Sequence, residues 1–164
     1  MPKSIIGVFG AGNISDTDAE WQSAITVGRQ LAQKGFVVLT GGLGGVMTAA
    51  SKGAKEGAGI TVGVLPGTRK TTPANMYVDI AIYTGMGEAR NAINIKSCEA
   101  AIAIGGEYGT LSEIALALKG NCPIILLNSW AIPPHGNVKL PEWYLAASPE
   151  EAVAMAVDAV AGEG

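Results

Sequence analysis

Short apolar runs alternate along the chain with longer segments whose apolar residues recur at helical spacing. Ser4–Phe9 is an apolar run closed by Gly10-Ala11-Gly12 and predicts a first strand. Asp16–Lys34 places Trp21, Ala24, Ile25, Gly28, Leu31 and Ala32 on one helical stripe, and Gly35 stops it. Phe36–Thr40 reads as the second strand, followed by a glycine loop, Gly41–Val46, and a helix of small residues to about Glu56. Ile60–Leu65, Tyr77–Tyr83, Ala100–Ile104 and Pro123–Leu127 predict four more strands. Helices are expected over Glu88–Ser97 and Leu111–Lys119. Pro66–Met76 is a long polar connection that could act as a lid, and Ser129–Ala147 reads as mostly irregular. Ser148-Pro149-Glu150-Glu151 has the residues that open a helix, with Ser at the N-cap, Pro at N1 and Glu at N3.

Alternating strands and helices imply an α/β fold: a three-layer, Rossmann-like, doubly wound and mostly parallel sheet of about six or seven strands flanked by helices. Residues 1–164 are expected to form one such ligand-binding domain. Ligands of these folds bind at the carboxyl ends of the strands, where strand order reverses. The glycine loops of this chain fall at those strand ends.

Composition sharpens the picture. Apolar residues make up 48 % and charged ones 15 %, which suits a sheet buried on both faces. The 23 glycines are about twice the average share, and they cluster at strand ends where backbone must approach something closely. A net charge of −3 argues against nucleic acid or an anionic membrane as partner, but not against a small anion held by backbone amides and one arginine. No stretch approaches the ~20 apolar residues of a membrane span, and the apolar run at the amino terminus is too short for a signal peptide. A cytoplasmic protein is expected. Cys98 and Cys122 read as buried thiols, and with His135 the lone histidine and no CxxC, no protein-held metal is expected.

Three loops carry candidate chemistry. Gly10-Ala11-Gly12-Asn13 does not complete a dinucleotide fingerprint; it is either a turn or a ligand contact. In Gly41-Gly42-Leu43-Gly44-Gly45-Val46, successive bare N–H groups before a helix form an anion cradle, unless the glycines serve tight packing. No Lys-Ser/Thr follows, so this is not an NTPase P-loop. Gly105-Gly106-Glu107-Tyr108-Gly109-Thr110 closes the fifth strand. Thr110 and Glu113 fit a T-x-x-E capping box, so Glu113 is either a cap or a site carboxylate. Arg90 stands at a helix amino terminus, where a cation is unfavourable, and so implies a task such as pairing with a ligand anion or with Glu113. Arg69 and Asn75, in the long loop, are further candidates, and Trp130, Trp143 and Tyr144 would anchor the irregular segment.

Taken in order, Gly41–Met47, Gly85–Arg90 and Gly105–Glu113 resemble the three signature loops of the LOG-type superfamily, once mislabelled lysine decarboxylases. Leu65-Pro66-Gly67, Ala74-Asn75, Gly85–Asn91 and Gly105–Thr110 are most similar to its short molybdenum-cofactor carrier branch. That resemblance implies a homo-oligomer, dimer or tetramer, that binds and protects molybdenum cofactor, an anionic phosphate-bearing pterin, without chemistry. It implies contacts from Gly10–Gly12, Gly41, Gly42, Gly44, Gly45, Val46, Arg69, Asn75, Arg90 and Gly105–Thr110.

The other branch, the cytokinin-activating phosphoribohydrolases, cleaves nucleoside monophosphates to base and ribose 5-phosphate. Arg90, Gly109, Thr110 and Glu113 match its functional pattern, with Arg90 and Glu113 as the catalytic pair. Gly105, Glu107 and Asn91 depart from that pattern, replacing a proline, a glycine and a lysine. A nucleotide-sensing module is a third reading. The chain has no His-Lys pair to suggest a pyridoxal-phosphate lysine.

Overall fold

The computed structural model describes residues 1–138 and 144–162. Its elements run β1 (Ile5–Gly10), α1 (Ala19–Gln33), β2 (Val37–Thr40), α2 (Val46–Glu56), β3 (Thr61–Leu65) and β4 (Ile80–Tyr83). After a short 3₁₀ turn come α3 (Arg90–Lys96), β5 (Ala100–Ile104), α4 (Tyr108–Lys119), β6 (Ile124–Leu127), β7 (Tyr144–Ala146) and α5 (Pro149–Gly162).

The seven strands form one sheet in the order β4-β3-β2-β1-β5-β6-β7, with every pairing parallel. β1 and β5 are neighbours from which the chain winds outward in opposite directions, so the switch point lies between them. The sheet is buried on both faces, as its unbroken Val/Ile/Ala runs require. One face packs Ile6, Val8, Ile102 and Ile125 against α1, α2 and α5. The other packs Phe9, Leu39, Val64 and Leu126 against α3 and α4 through Ile95, Ile114 and Ala117.

The first face depends on glycine. α1 and α2 approach so closely that a Cβ at Gly28 would strike the Ala50 carbonyl, and one at Gly53 the Ile25 carbonyl. The small-residue character of α2 is therefore a packing requirement.

The segment expected to be mostly irregular contains β7, whose Tyr144, Leu145 and Ala146 pair with Ile125, Leu126 and Leu127. Three residues beside a Pro- and Trp-containing stretch carry too little periodicity to be read as a strand. Trp143 lies outside the described residues. The start of α5 is as the sequence indicates: Ser148 Oγ accepts from the Glu151 amide at 3.1 Å, and Glu151 Oε2 accepts from the Ala147 amide at 2.6 Å. No described helix is long and apolar enough to cross a membrane.

Candidate functional site

At the carboxyl ends of β1 and β5, on the switch point, lies a cavity of about 170 Å³. Phe9 to Gly12 wall it from β1, Met47 from α2, and Glu88, Arg90 and Asn91 from the turn into α3. Glu107, Gly109, Thr110 and Glu113 close it from α4. Gly12, Glu88, Glu107 and Gly109 are exposed, so the mouth is open to solvent.

Arg90 is the central feature. Its side chain is only 8 % exposed, and the ion pairs among the described residues, Arg29–Glu56 and Lys55–Asp79, lie elsewhere. Its Nε donates to the Val64 carbonyl at 2.8 Å and Nη1 to Asn91 Oδ1 at 3.0 Å. Nη2 has no such partner among the described residues and lies beside Gly41, where a Cβ would sit 3.0 Å from it. Burial lowers the Arg90 pKa from the ordinary guanidinium value, while the charges of Glu113 and Glu88 oppose that shift. The pairing with Glu113 suggested by the sequence is thus a through-space interaction and not a salt bridge.

Glu113 sits on the second turn of α4, also 8 % exposed. The capping-box reading does not hold. The helix begins at Tyr108 with Glu107 at its N-cap, so Thr110 is the third helical residue and Glu113 lies beyond capping range. Instead Asn94 Nδ2 donates to Glu113 Oε1 at 3.2 Å. Burial pushes the Glu113 carboxyl up to about 7; the Asn94 hydrogen bond and Arg90 act against this, and Glu88 adds to it.

A polar layer between α3 and α4 sets these groups in place. Asn91 Nδ2 donates to Ser112 Oγ at 2.9 Å, and Ser112 Oγ to the Gly109 carbonyl at 2.6 Å. Asn94 is fully buried and its Oδ1 has no hydrogen-bond partner among the described residues. Asn91, Asn94 and Ser112 were absent from the sequence-based site. The only signal for the two asparagines was polarity on the inward stripe of α3, where Asn94 falls four residues after Arg90 and three after Asn91; Ser112, on α4, had none.

The two glycine loops sit differently about the cavity. Gly41, Gly42, Gly44, Gly45 and Val46 stand behind the cavity. The Val46 amide is spent on the Ala11 carbonyl at 3.0 Å, and Gly42 packs on Leu65. Gly45, at φ +59°, lets the loop touch the Ala11 carbonyl and Gly12. Close packing thus engages Gly42, Gly45 and the Val46 amide. The amino terminus of α4 faces the cavity through Gly109 and Thr110. The helix's own hydrogen bonding leaves the amides of Tyr108, Gly109 and Thr110 unused.

Gly105 and Gly106 line a neighbouring hollow with Glu20, Asn128, Ser129 and Trp130. Trp130 stacks on the exposed Tyr108 with ring centroids 5.9 Å apart and donates Nε1 to the Glu107 carbonyl at 3.2 Å. Ser129 Oγ donates to the Gly105 carbonyl at 2.6 Å, so the end of β6 fixes the β5–α4 loop. Asn75 is a brace, donating Nδ2 to the Leu43 carbonyl at 3.0 Å and its amide to the Gly42 carbonyl at 2.9 Å. Arg69 lies over the Tyr83 ring, 5.4 Å from its centroid. The Pro66–Met76 loop that carries both contributes nothing to the cavity wall and is held to the β4–α3 turn by the Gly85 and Gly87 amides. His135 is exposed, and no cluster of metal-ligating side chains occurs among the described residues.

Sheet order, switch-point cavity and buried arginine together define a Rossmann-like domain with its site between the first strand and the strand that reverses the winding. The chain belongs to the SLOG cluster4 family, whose profile matches residues 3–153. It is 50 % identical over 114 residues to an uncharacterized protein of Archaeoglobus fulgidus, covering 70 % of this chain and 73 % of that one. Among solved structures it is similar to the molybdenum cofactor binding protein of Rippkaea orientalis, at 38 % identity and a TM-score of 0.82 over 96 % of this chain and 98 % of that one. It is also similar to the molybdenum cofactor carrier protein of Chlamydomonas reinhardtii, at 36 % identity and a TM-score of 0.81 over 98 % and 99 %.

Proposed function

We propose that this protein binds, stores and protects molybdenum cofactor, an anionic pterin bearing a phosphate, without turning it over. The observation that carries this reading is Arg90: a buried cation with no carboxylate partner among the described residues, facing the switch-point cavity. A buried charge is costly unless something pairs with it, and a ligand anion would supply that pairing. Arg90 and the free amides of α4 would hold the anion, with Gly10–Gly12 as a close-approach wall and Glu107–Thr110 along the ligand's flank. Gly41–Val46, Gly105, Gly106 and Asn75 would shape the site from behind, and Arg69 would reach a ligand extending past the mouth. The similar proteins of Rippkaea and Chlamydomonas bind or carry that cofactor by name. A cytoplasmic homo-oligomer completes the proposal, and exposed Ile80 and Ile82 on edge strand β4 suit an interface between copies.

The test is to purify the protein from a cofactor-producing host, denature it and look for fluorescent oxidised pterin. Native mass spectrometry of the same sample would report ligand mass and subunit number. Absence of pterin, together with no uptake from donor extracts, would overturn the reading.

One observation favours a second reading. Glu113 is not a cap and faces the same cavity as Arg90, as a nucleoside monophosphate phosphoribohydrolase would require. Glu113 would then stabilise the oxocarbenium-like ribosyl centre while Arg90 orients the nucleotide. Release of free base from adenine-type monophosphates, lost in Glu113→Gln, would establish it in place of the carrier reading.

A further inference from the structure

The cavity wall holds one cation and three carboxylates: Arg90 against Glu88, Glu107 and Glu113. A ligand that was anionic throughout would meet net repulsion there. None of the three acids is neutralised by an ion pair among the described residues. Glu107 occupies the N-cap of α4, yet its side chain makes no capping hydrogen bond. Glu113 is the decisive one, being more than nine-tenths buried, with Oε1 accepting from Asn94 and Oε2 without a donor among the described residues. A carboxylate oxygen of a buried side chain that opens onto a cavity calls for a donor from whatever fills the cavity.

We infer that the site is bipolar and selects its ligand at both ends. Arg90 and the amino terminus of α4 take the anion, while Glu113 accepts from an N–H edge of the ligand's heterocycle. A carboxylate suits the adjacent ring N–H and amino group of a 2-amino-4-oxo-pyrimidine ring, the unit shared by pterins and guanine, and has no such pair to accept from when the amino group is absent. Glu88 and Glu107, at the mouth, add a field that favours donor-rich ligands over bare polyanions. This specificity rests on the proposed binding of an anionic heterocycle, but it does not require that the heterocycle carry molybdenum.

Two ligand pairs differing at one amino group test it by isothermal titration: GMP against IMP, and 6-carboxypterin against 6-carboxylumazine. The amino-bearing member should bind roughly 10- to 100-fold more tightly in at least one pair, the range for a hydrogen bond to a charged group. In Glu113→Gln the preference should shrink several-fold, while competition by inorganic phosphate persists. Equal affinities within both pairs, no binding by either pair, or an undiminished preference in the variant would overturn the inference. The outcome is separable from that of the carrier reading. A protein that carries no pterin on purification yet prefers GMP keeps the bipolar site, and one that carries pterin without the preference loses it.

Discussion

Asn94 donates its side-chain amide to one oxygen of Glu113 across 3.2 Å, inside the layer where α3 packs on α4. Among the described residues that bond, together with the charge of Arg90, favours ionisation of a carboxyl that burial holds protonated. The unfolded chain releases this proton near 4.5 and the folded protein near 7. Between those values the folded state binds more protons, so stability falls as pH rises through the window and the penalty is complete above it. Thermal or urea unfolding from pH 4.5 to 8 should show that decline, and Glu113→Gln should flatten it and be the more stable protein at pH 8. A variant that tracks the wild type across the window would refute the assignment.

Asn94→Leu keeps the volume and removes the donor. The ionised carboxylate then loses its charge-assisted hydrogen bond, at a cost of roughly 1.5–3 kcal/mol above pH 8. At pH 5, where Glu113 is neutral in the fold, the loss should be smaller. Carbon-13 NMR of the Glu113 carboxyl should show a titration midpoint moved above 7. An unchanged midpoint would mean that Asn94 does not set this ionisation.

The sequence carried some of this and concealed the rest, for physical reasons. The strands β1, β2, β3, β5 and β6 were legible because parallel strands buried on both faces read as unbroken apolar runs. So was the start of α5, whose capping residues act on their immediate neighbours. Glu113 was ambiguous because T-x-x-E is a local signature, whereas the start of α4 depends on Tyr108 and Gly109 continuing the helix upstream of it. The Gly41–Val46 loop was ambiguous for a related reason. A backbone amide in such a loop reads the same in sequence whether it faces a ligand or, as that of Val46 does, the Ala11 carbonyl. The contacts of Asn94 and Asn91 with α4 join residues 19 and 21 positions apart, and no spacing rule reaches across two helices.

Arg90→Lys should weaken sulfate binding roughly tenfold despite conserving charge. The guanidinium fork is held at Nε by Val64 and at Nη1 by Asn91, which aims the remaining nitrogen. An ammonium has no planar fork to be held in this way. Titration calorimetry with sulfate would decide, and equal affinity would show that charge alone matters.

Gly45→Ala tests the packing role of the second loop. Its φ of +59° strains an alanine, and the new Cβ would meet the Ala11 carbonyl and Gly12. Destabilisation of about 1–3 kcal/mol is expected. Because the displaced backbone belongs to the β1 turn that walls the cavity, sulfate affinity should fall as well. Wild-type stability in the variant would mean the loop does not need this close approach.

The ionisation of Glu113 also sets how the cavity treats a simple anion. Arg90 stays charged across the neutral range, since a guanidinium does not lose its proton in proteins. The group on the wall that changes charge near pH 7 is therefore Glu113, with Glu88 adding negative field and Asn94 fixing one oxygen. Sulfate, whose own charge is constant from pH 5.5 to 8.5, should bind more tightly below 7 and lose up to roughly tenfold in affinity as Glu113 ionises. Linkage requires the converse: sulfate raises the Glu113 pKa, so binding near pH 7.5 takes up a fraction of a proton. Calorimetry in two buffers of different ionisation enthalpy measures that uptake directly, and Glu113→Gln should abolish both the uptake and the pH dependence. A wild-type affinity constant across this range would show that the anion and Glu113 do not share the cavity.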